Sequence, residues 1–181
     1  MALTLLLGPA RSGKSRTAVR MAGAWDGPVA VVATAEVRDR EMAARIARHR
    51  AARPASWETV EEPIDLGSAL RKVPEEAAVI VDCLTLWVSN LMERGVDDAG
   101  VERRAVAAAR EAARRSAPTI AVTNEVGWGI VPVGAAVRRY RDLLGAVNQK
   151  WAALADRAFL VVAGRLLDLS AVEEVSDDGG H

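Results

Sequence analysis

One octapeptide constrains this chain more than any other stretch. Gly8-Pro9-Ala10-Arg11-Ser12-Gly13-Lys14-Ser15 follows the apolar run Leu3 to Leu7 and precedes a helix-permissive segment from Arg16 to Ala24. The pattern G-x-x-x-x-G-K-[ST] between a strand and a helix builds a phosphate-binding loop. Its two glycines let the backbone curl around a phosphate with N–H groups pointing inward, its lysine reaches the β and γ oxygens, and its hydroxyl residue ligates Mg²⁺. The helix that starts there adds the positive end of its dipole. Lys14 and Ser15 are therefore candidate site residues for a nucleoside triphosphate, although such a loop names a ligand and not a reaction.

Around this loop the chain alternates between two kinds of segment. Apolar, β-branched runs recur at Leu3 to Leu7, Pro28 to Thr34, Ala77 to Asp82, Pro118 to Thr123 and Ala158 to Ala163. They are continuous rather than alternating, as strands buried on both faces must be. Helical segments lie between them at Lys14 to Ala24, Glu36 to Ala52, Leu66 to Lys72, Leu84 to Glu93, Val101 to Ser116 and Gly134 to Asp156. The alternation predicts an α/β fold, a mostly parallel sheet flanked by helices, of the RecA-like phosphate-loop NTPase type. In the last helix Val137, Tyr140, Leu144, Val147, Trp151 and Leu154 form one apolar stripe, expected to be core or a subunit interface.

The length of 181 residues with 50% hydrophobic residues suits one domain, read as residues 1–170, with 171–181 as a flexible tail. Lys+Arg 24 balances Asp+Glu 24, so the whole chain carries no electrostatic footprint for nucleic acid or an anionic membrane. Its single cysteine, Cys83, excludes an internal disulfide and fits the cytoplasm. The N-terminal run has no basic flank and leads straight into the loop, so it reads as a first strand and not a signal peptide. No apolar run is long enough to span a bilayer.

Ligands of open α/β sheets bind outside the carboxyl ends of the strands. Five polar clusters sit there: the loop itself, Thr34-Ala35-Glu36, Asp82, Thr123-Asn124-Glu125 and Gly164. Asp82 closes an apolar strand as a Walker-B-type carboxylate does where it reaches Mg²⁺ beside a phosphate loop, or else caps the following helix. On the segment Glu36 to Ala52, Arg45 and His49 share a face, and Arg48, Arg50 and Arg53 surround the histidine with cations. Such a cluster suits polyphosphate, and a neutral imidazole whose protonation the guanidiniums oppose can attack phosphorus. A solvated charged helix with an inert histidine is the competing reading. The loop Thr123-Asn124-Glu125-Val126-Gly127-Trp128-Gly129-Ile130-Val131-Pro132 carries a tryptophan between two glycines, either exposed on a mobile loop or packed beneath the domain.

Three of these stretches together resemble one family. The phosphate loop, Arg45-Ile46-Ala47-Arg48-His49 followed by Arg53-Pro54 and Trp57, and the segment Thr123 to Pro132 are similar to the bifunctional adenosylcobinamide kinase/adenosylcobinamide-phosphate guanylyltransferases of cobalamin biosynthesis. Val147-Asn148-Gln149 adds to the likeness, which runs from Leu3 to Gly164. The resemblance implies a homotrimer acting in two steps. ATP or GTP phosphorylates the aminopropanol hydroxyl of adenosylcobinamide. GTP then guanylylates a histidine, His49 by position, and adenosylcobinamide phosphate takes the GMP to give adenosylcobinamide-GDP. Nucleotide contacts would fall on Gly8, Pro9, Ala10, Arg11, Ser12, Gly13, Lys14, Ser15, Thr34, Ala35, Glu36, Arg50, Ala51, Ala52, Arg53, Glu61 and Asp82, with Mg²⁺ at Ser15 and Asp82. The family usually has a second glycine where this chain has Pro9, which lacks an N–H, so tuning of phosphate binding is expected. Asp82 stands where some members carry glutamate. A small-molecule kinase without guanylyl transfer and a GTP-dependent switch are the alternatives.

Overall fold

A computed structural model describes residues 3–172. The segment Glu173 to His181, and so most of the expected tail, lies outside these residues. Seven strands form a single sheet: β1 (Leu3–Leu7), β2 (Val29–Ala33), β3 (Glu58–Glu61), β4 (Ala78–Asp82), β5 (Thr119–Val122), β6 (Arg157–Val162) and β7 (Arg165–Asp168). Their order is β3-β2-β4-β5-β1-β6-β7. All neighbours run parallel except β6 and β7, which pair antiparallel. The helices are α1 (Lys14–Ala22), α2 (Arg40–Ala51), α3 (Leu66–Lys72), α4 (Leu84–Glu93), α5 (Asp98–Arg114) and α6 (Ala135–Leu154).

The inner strands are largely apolar because each of their faces meets a core. Leu3, Leu5, Ala30, Val32, Val79 and Val81 point to the side covered by α3 to α6. Leu6, Val29, Val31, Ala78 and Ile80 point to the side covered by α1. This is the period of two along a pleated strand. The stripe on α6 resolves as core, with Leu144, Val147 and Trp151 fully buried. Only Val137 at its start is exposed.

Helix α2 stands apart. It begins at Arg40 rather than Glu36, because the Asp39 carboxylate accepts from the Met42 N–H at 2.7 Å and caps the helix there. None of its residues is buried. It therefore lacks the roughly 1.5–3 kcal/mol that burial of a large apolar side chain supplies, and polar contacts from its last turn tie it to the sheet.

Candidate active site

The phosphate loop joins β1 to α1 and depends on its glycines. Gly8 has φ 150°, and a Cβ there would lie 2.3 Å from the Val161 carbonyl oxygen. Gly13, at φ 107°, is the N-cap of α1. Lys14 is buried, and its Nζ donates to the carbonyls of Gly8 at 2.8 Å and Pro9 at 2.7 Å. Burial pulls its ammonium below the ordinary lysine value; Cys83 and Asp82 act the other way and Arg45 reinforces burial. Pro9 thus takes part through its carbonyl, which needs no N–H.

Two of the five strand-end clusters support this loop instead of lining a cleft. The Gly164 N–H donates to the Ser12 carbonyl at 2.8 Å, and the Glu125 N–H to that of Gly8 at 3.1 Å. Asn148, buried on α6, accepts from the Thr123 hydroxyl at 2.7 Å and donates to the Asn124 carbonyl at 3.0 Å. In the sequence Asn148 figures only in the resemblance of Val147-Asn148-Gln149, with no role attached to it. Trp128 is 72% exposed, which excludes packing beneath the domain.

Asp82 is the hub. Its Oδ2 accepts from His49 Nδ1 at 3.1 Å and from Arg53 Nη2. Burial works to raise this carboxyl, but the His49 hydrogen bond and the charges of His49 and Arg53 hold it below the usual carboxylate range. It is not a helix cap, since Cys83 holds the N-cap position of α4. Among the described residues no three acidic, histidine or cysteine side chains form a metal cage. Mg²⁺ is commonly held by one or two protein oxygens plus substrate phosphates. The Ser15 hydroxyl, without a protein partner among the described residues, and Asp82, whose two contacts both fall on Oδ2, suit that mode.

Two clefts meet at this hub, and His49, Arg53 and Asp82 line both. The larger, of about 530 Å³, contains Ala35, Glu36, Met42, Ile46, Arg50 and Glu61 in its wall. The smaller, of about 370 Å³, opens between Ser15 and Arg16 of the phosphate-loop helix and Arg48 and Ala52 of α2. His49 stands in the waist between them.

The remaining expected residues divide. Arg50 and Glu61 pair at 3.1 Å on the rim of the larger cleft. Glu36 faces that cleft while its carboxylate meets Arg94 at 2.7 Å and Arg38 at 3.1 Å. Thr34 differs from expectation. It is fully buried, its hydroxyl donates to the Cys83 carbonyl and accepts the Cys83 N–H, and its carbonyl accepts from Asn90. It pins β2 to the end of β4 instead of facing a ligand. Ala51 is exposed and lines neither cleft. Asn90, which sequence reasoning missed, is buried and also accepts from Arg38 at 2.7 Å, fixing the segment that leads into α2.

A family model described as cobinamide kinase / cobinamide phosphate guanyltransferase matches residues 4–169. A Pseudomonas aeruginosa protein named bifunctional adenosylcobalamin biosynthesis protein CobP is 43% identical, over 88% of this chain and 92% of that protein. The Salmonella typhimurium and Escherichia coli proteins named bifunctional adenosylcobalamin biosynthesis protein CobU are 40% and 38% identical, each over 90% of this chain and 96% of its own length. Among solved structures, the RadB recombinase overlays with a TM-score of 0.51 at 19% identity, over 88% of this chain and 73% of that one. A Pyrococcus horikoshii protein gives 0.58 at 7% identity, over 96% and 88%. These two likenesses concern fold alone and agree with the RecA-like α/β architecture.

Proposed function

The chain belongs to the cobinamide kinase / cobinamide phosphate guanyltransferase family and is a transferase with both activities, and we propose that one trench serves both, with His49 carrying the guanylyl group in the second. In the first reaction ATP or GTP lies with its outer phosphates at Gly8 to Ser15, and the γ-phosphoryl group passes to the aminopropanol hydroxyl of adenosylcobinamide. Lys14 leaves the loop carbonyls to neutralise the transferring group. Mg²⁺, held by Ser15 and Asp82 with the phosphates, would offset further charge.

In the second reaction guanosine occupies the larger cleft, between Glu36 and Glu61, and the α-phosphate lies over the waist. With Nδ1 donating to Asp82, Nε2 of His49 carries the free lone pair. That pair attacks the α-phosphorus, the bond to the bridging oxygen breaks, and its electrons leave with pyrophosphate. Asp82 stabilises the cationic imidazole of the adduct, and Arg53 holds Asp82 in place. An oxygen of adenosylcobinamide phosphate then attacks the same phosphorus, the P–N bond breaks, and its electrons return to the imidazole as adenosylcobinamide-GDP forms.

The observation that supports this reading is the contact of His49 and Arg53 with Asp82 beside the phosphate loop. Intact-protein mass after incubation with GTP and Mg²⁺ tests it. An acid-labile GMP adduct on the native chain, absent from His49→Ala, is expected; no adduct while GTP binds demotes His49 to a contact residue.

Residues 1–170 act as one catalytic unit in this reading, in the cytoplasm, where both nucleotides are supplied. Among the described residues no helix is long and apolar enough to cross a membrane. The homotrimer implied by the family resemblance would use the exposed Trp128, Ile130, Val131 and Val133, because the α6 stripe is core. Sedimentation should give three times the chain mass, and Ile130→Asp a smaller species.

A further inference from the structure

The smaller cleft holds two arginines that nothing in the fold explains. Most arginines near the trench have carboxylate partners: Arg38 and Arg94 with Glu36, Arg50 with Glu61, and Arg53 with Asp82. The side chains of Arg16 and Arg48 have no hydrogen bond or ion pair among the described residues. They face one cleft from opposite walls, Arg16 from α1 and Arg48 from α2, with His49 and Ser15 beside them. The Arg16 guanidinium lies over the phosphate-loop edge, its Nη2 only 3.5 Å from the position of a Cβ on Gly164 and 3.7 Å from one on Gly13. The one carboxylate in that cleft, Asp82, already serves His49 and Arg53. Two unpaired guanidiniums converging on a cleft form a receptor for a multiply charged phosphate, which they can grip with paired N–H donors.

We infer that Arg16 and Arg48 form one anion site used twice, first by the departing pyrophosphate and then by the phosphate of the corrinoid acceptor. The inference rests on the guanylyl-histidine reading above and follows from in-line displacement. When Nε2 attacks the α-phosphorus, pyrophosphate must leave from the side opposite the imidazole. When the acceptor breaks the P–N bond, it must attack from the side opposite the imidazole again. Relative to phosphorus, the leaving group of the first step and the nucleophile of the second therefore occupy the same place. Guanosine in the larger cleft and His49 in the waist leave the smaller cleft as that place. One cationic site suffices for two anions that are never present together.

The test uses the full chain with Arg16→Gln, Arg48→Gln and Arg48→Lys. Exchange of labelled pyrophosphate into GTP reports the first half-reaction. Release of GMP from preformed guanylyl-enzyme by adenosylcobinamide phosphate reports the second. In both glutamine variants the half-saturating concentrations of pyrophosphate and of acceptor should rise together by about tenfold or more, as loss of charge-assisted phosphate contacts implies. The lysine variant should recover part of both losses, and pyrophosphate should compete with acceptor for the guanylyl-enzyme. Movement of only one constant, or simultaneous binding of the two anions, would overturn the shared site while leaving the histidine adduct intact. Absence of adduct on the native chain would remove the parent reading and this site with it.

Discussion

His49 Nδ1 lies 3.1 Å from Asp82 Oδ2, although the two residues are 33 positions apart and belong to a helix and to the end of a strand. The contact fixes which nitrogen is the donor and so which is the nucleophile. Asp82→Asn keeps the shape but can present its N–H₂ to the ring and favour the wrong tautomer. Guanylylation should fall by about 10²-fold or more, on the scale of general acid–base and positioning effects. Phosphorus NMR of the wild-type adduct should show attachment at Nε2. An asparagine variant that guanylylates at full rate would leave Asp82 as a metal ligand only.

That contact also marks where sequence reading stops. The five inner strands were legible because burial on both faces demands continuous apolar runs, as in Val79-Ile80-Val81. The edge strands β3, Glu-Thr-Val-Glu, and β7, Arg-Leu-Leu-Asp, were missed because each has a neighbour on one side only and carries charged ends. Thr34 looked like a ligand contact from its place at a strand end, yet its hydroxyl faces the neighbouring strand. Spacing shows that Arg45 and His49 share a face of α2, but the meeting of His49 with Asp82 is tertiary. Family resemblance, not periodicity, singled out the histidine.

Gly8 is the backbone position least able to change. At φ 150° an L side chain is strained, and its Cβ would stand 2.3 Å from the Val161 carbonyl oxygen, a backbone atom that cannot swing away. Gly8→Ala should cost about 2–3 kcal/mol of stability, combining backbone strain with overpacking. Urea unfolding reads the cost, and nucleotide affinity should fall with it because the loop must open to relieve the clash.

The lead into α2 should loosen in acid. The Arg94 hydrogen bond holds Glu36, and the Arg38 hydrogen bond holds Glu93, below the ordinary glutamate range. A carboxyl depressed in the folded state stabilises above its unfolded pKa, near 4.5, and loses that contribution as pH falls through the lower folded value. Glu36→Gln should therefore speed hydrogen exchange over residues 43–52, in α2 and its C-cap, at pH 6 and make progressively less difference as the pH falls below 4.5. A larger effect of the substitution at the lower pH would reverse the sign and refute the assignment.

Cys83 should be a sluggish thiol. Burial, aided by the Asp82 charge, pushes it up to about 11, so at pH 8 its thiolate fraction is about 10²-fold below that of a free cysteine. Alkylation of the native chain by iodoacetamide at pH 8 should be slower by about that factor than of the urea-unfolded chain. Equal rates would mean that the strand end opens freely.

The stereochemical course at the α-phosphorus distinguishes the two-step route from direct attack by the acceptor. Each in-line displacement inverts phosphorus. Attack by His49 followed by attack by the acceptor phosphate inverts twice and gives net retention, whereas direct displacement of pyrophosphate by the acceptor inverts once. GTP carrying sulfur at one defined non-bridging α-oxygen should thus yield adenosylcobinamide-GDP of retained configuration. The direct route needs acceptor and GTP bound together, with the acceptor phosphate opposite pyrophosphate and therefore on the side where His49 stands. The imidazole occupies the waist in contact with Asp82, which leaves the acceptor the opposite side, open only after pyrophosphate has left. Inversion would require His49 to vacate the waist and would make it a gate rather than a nucleophile.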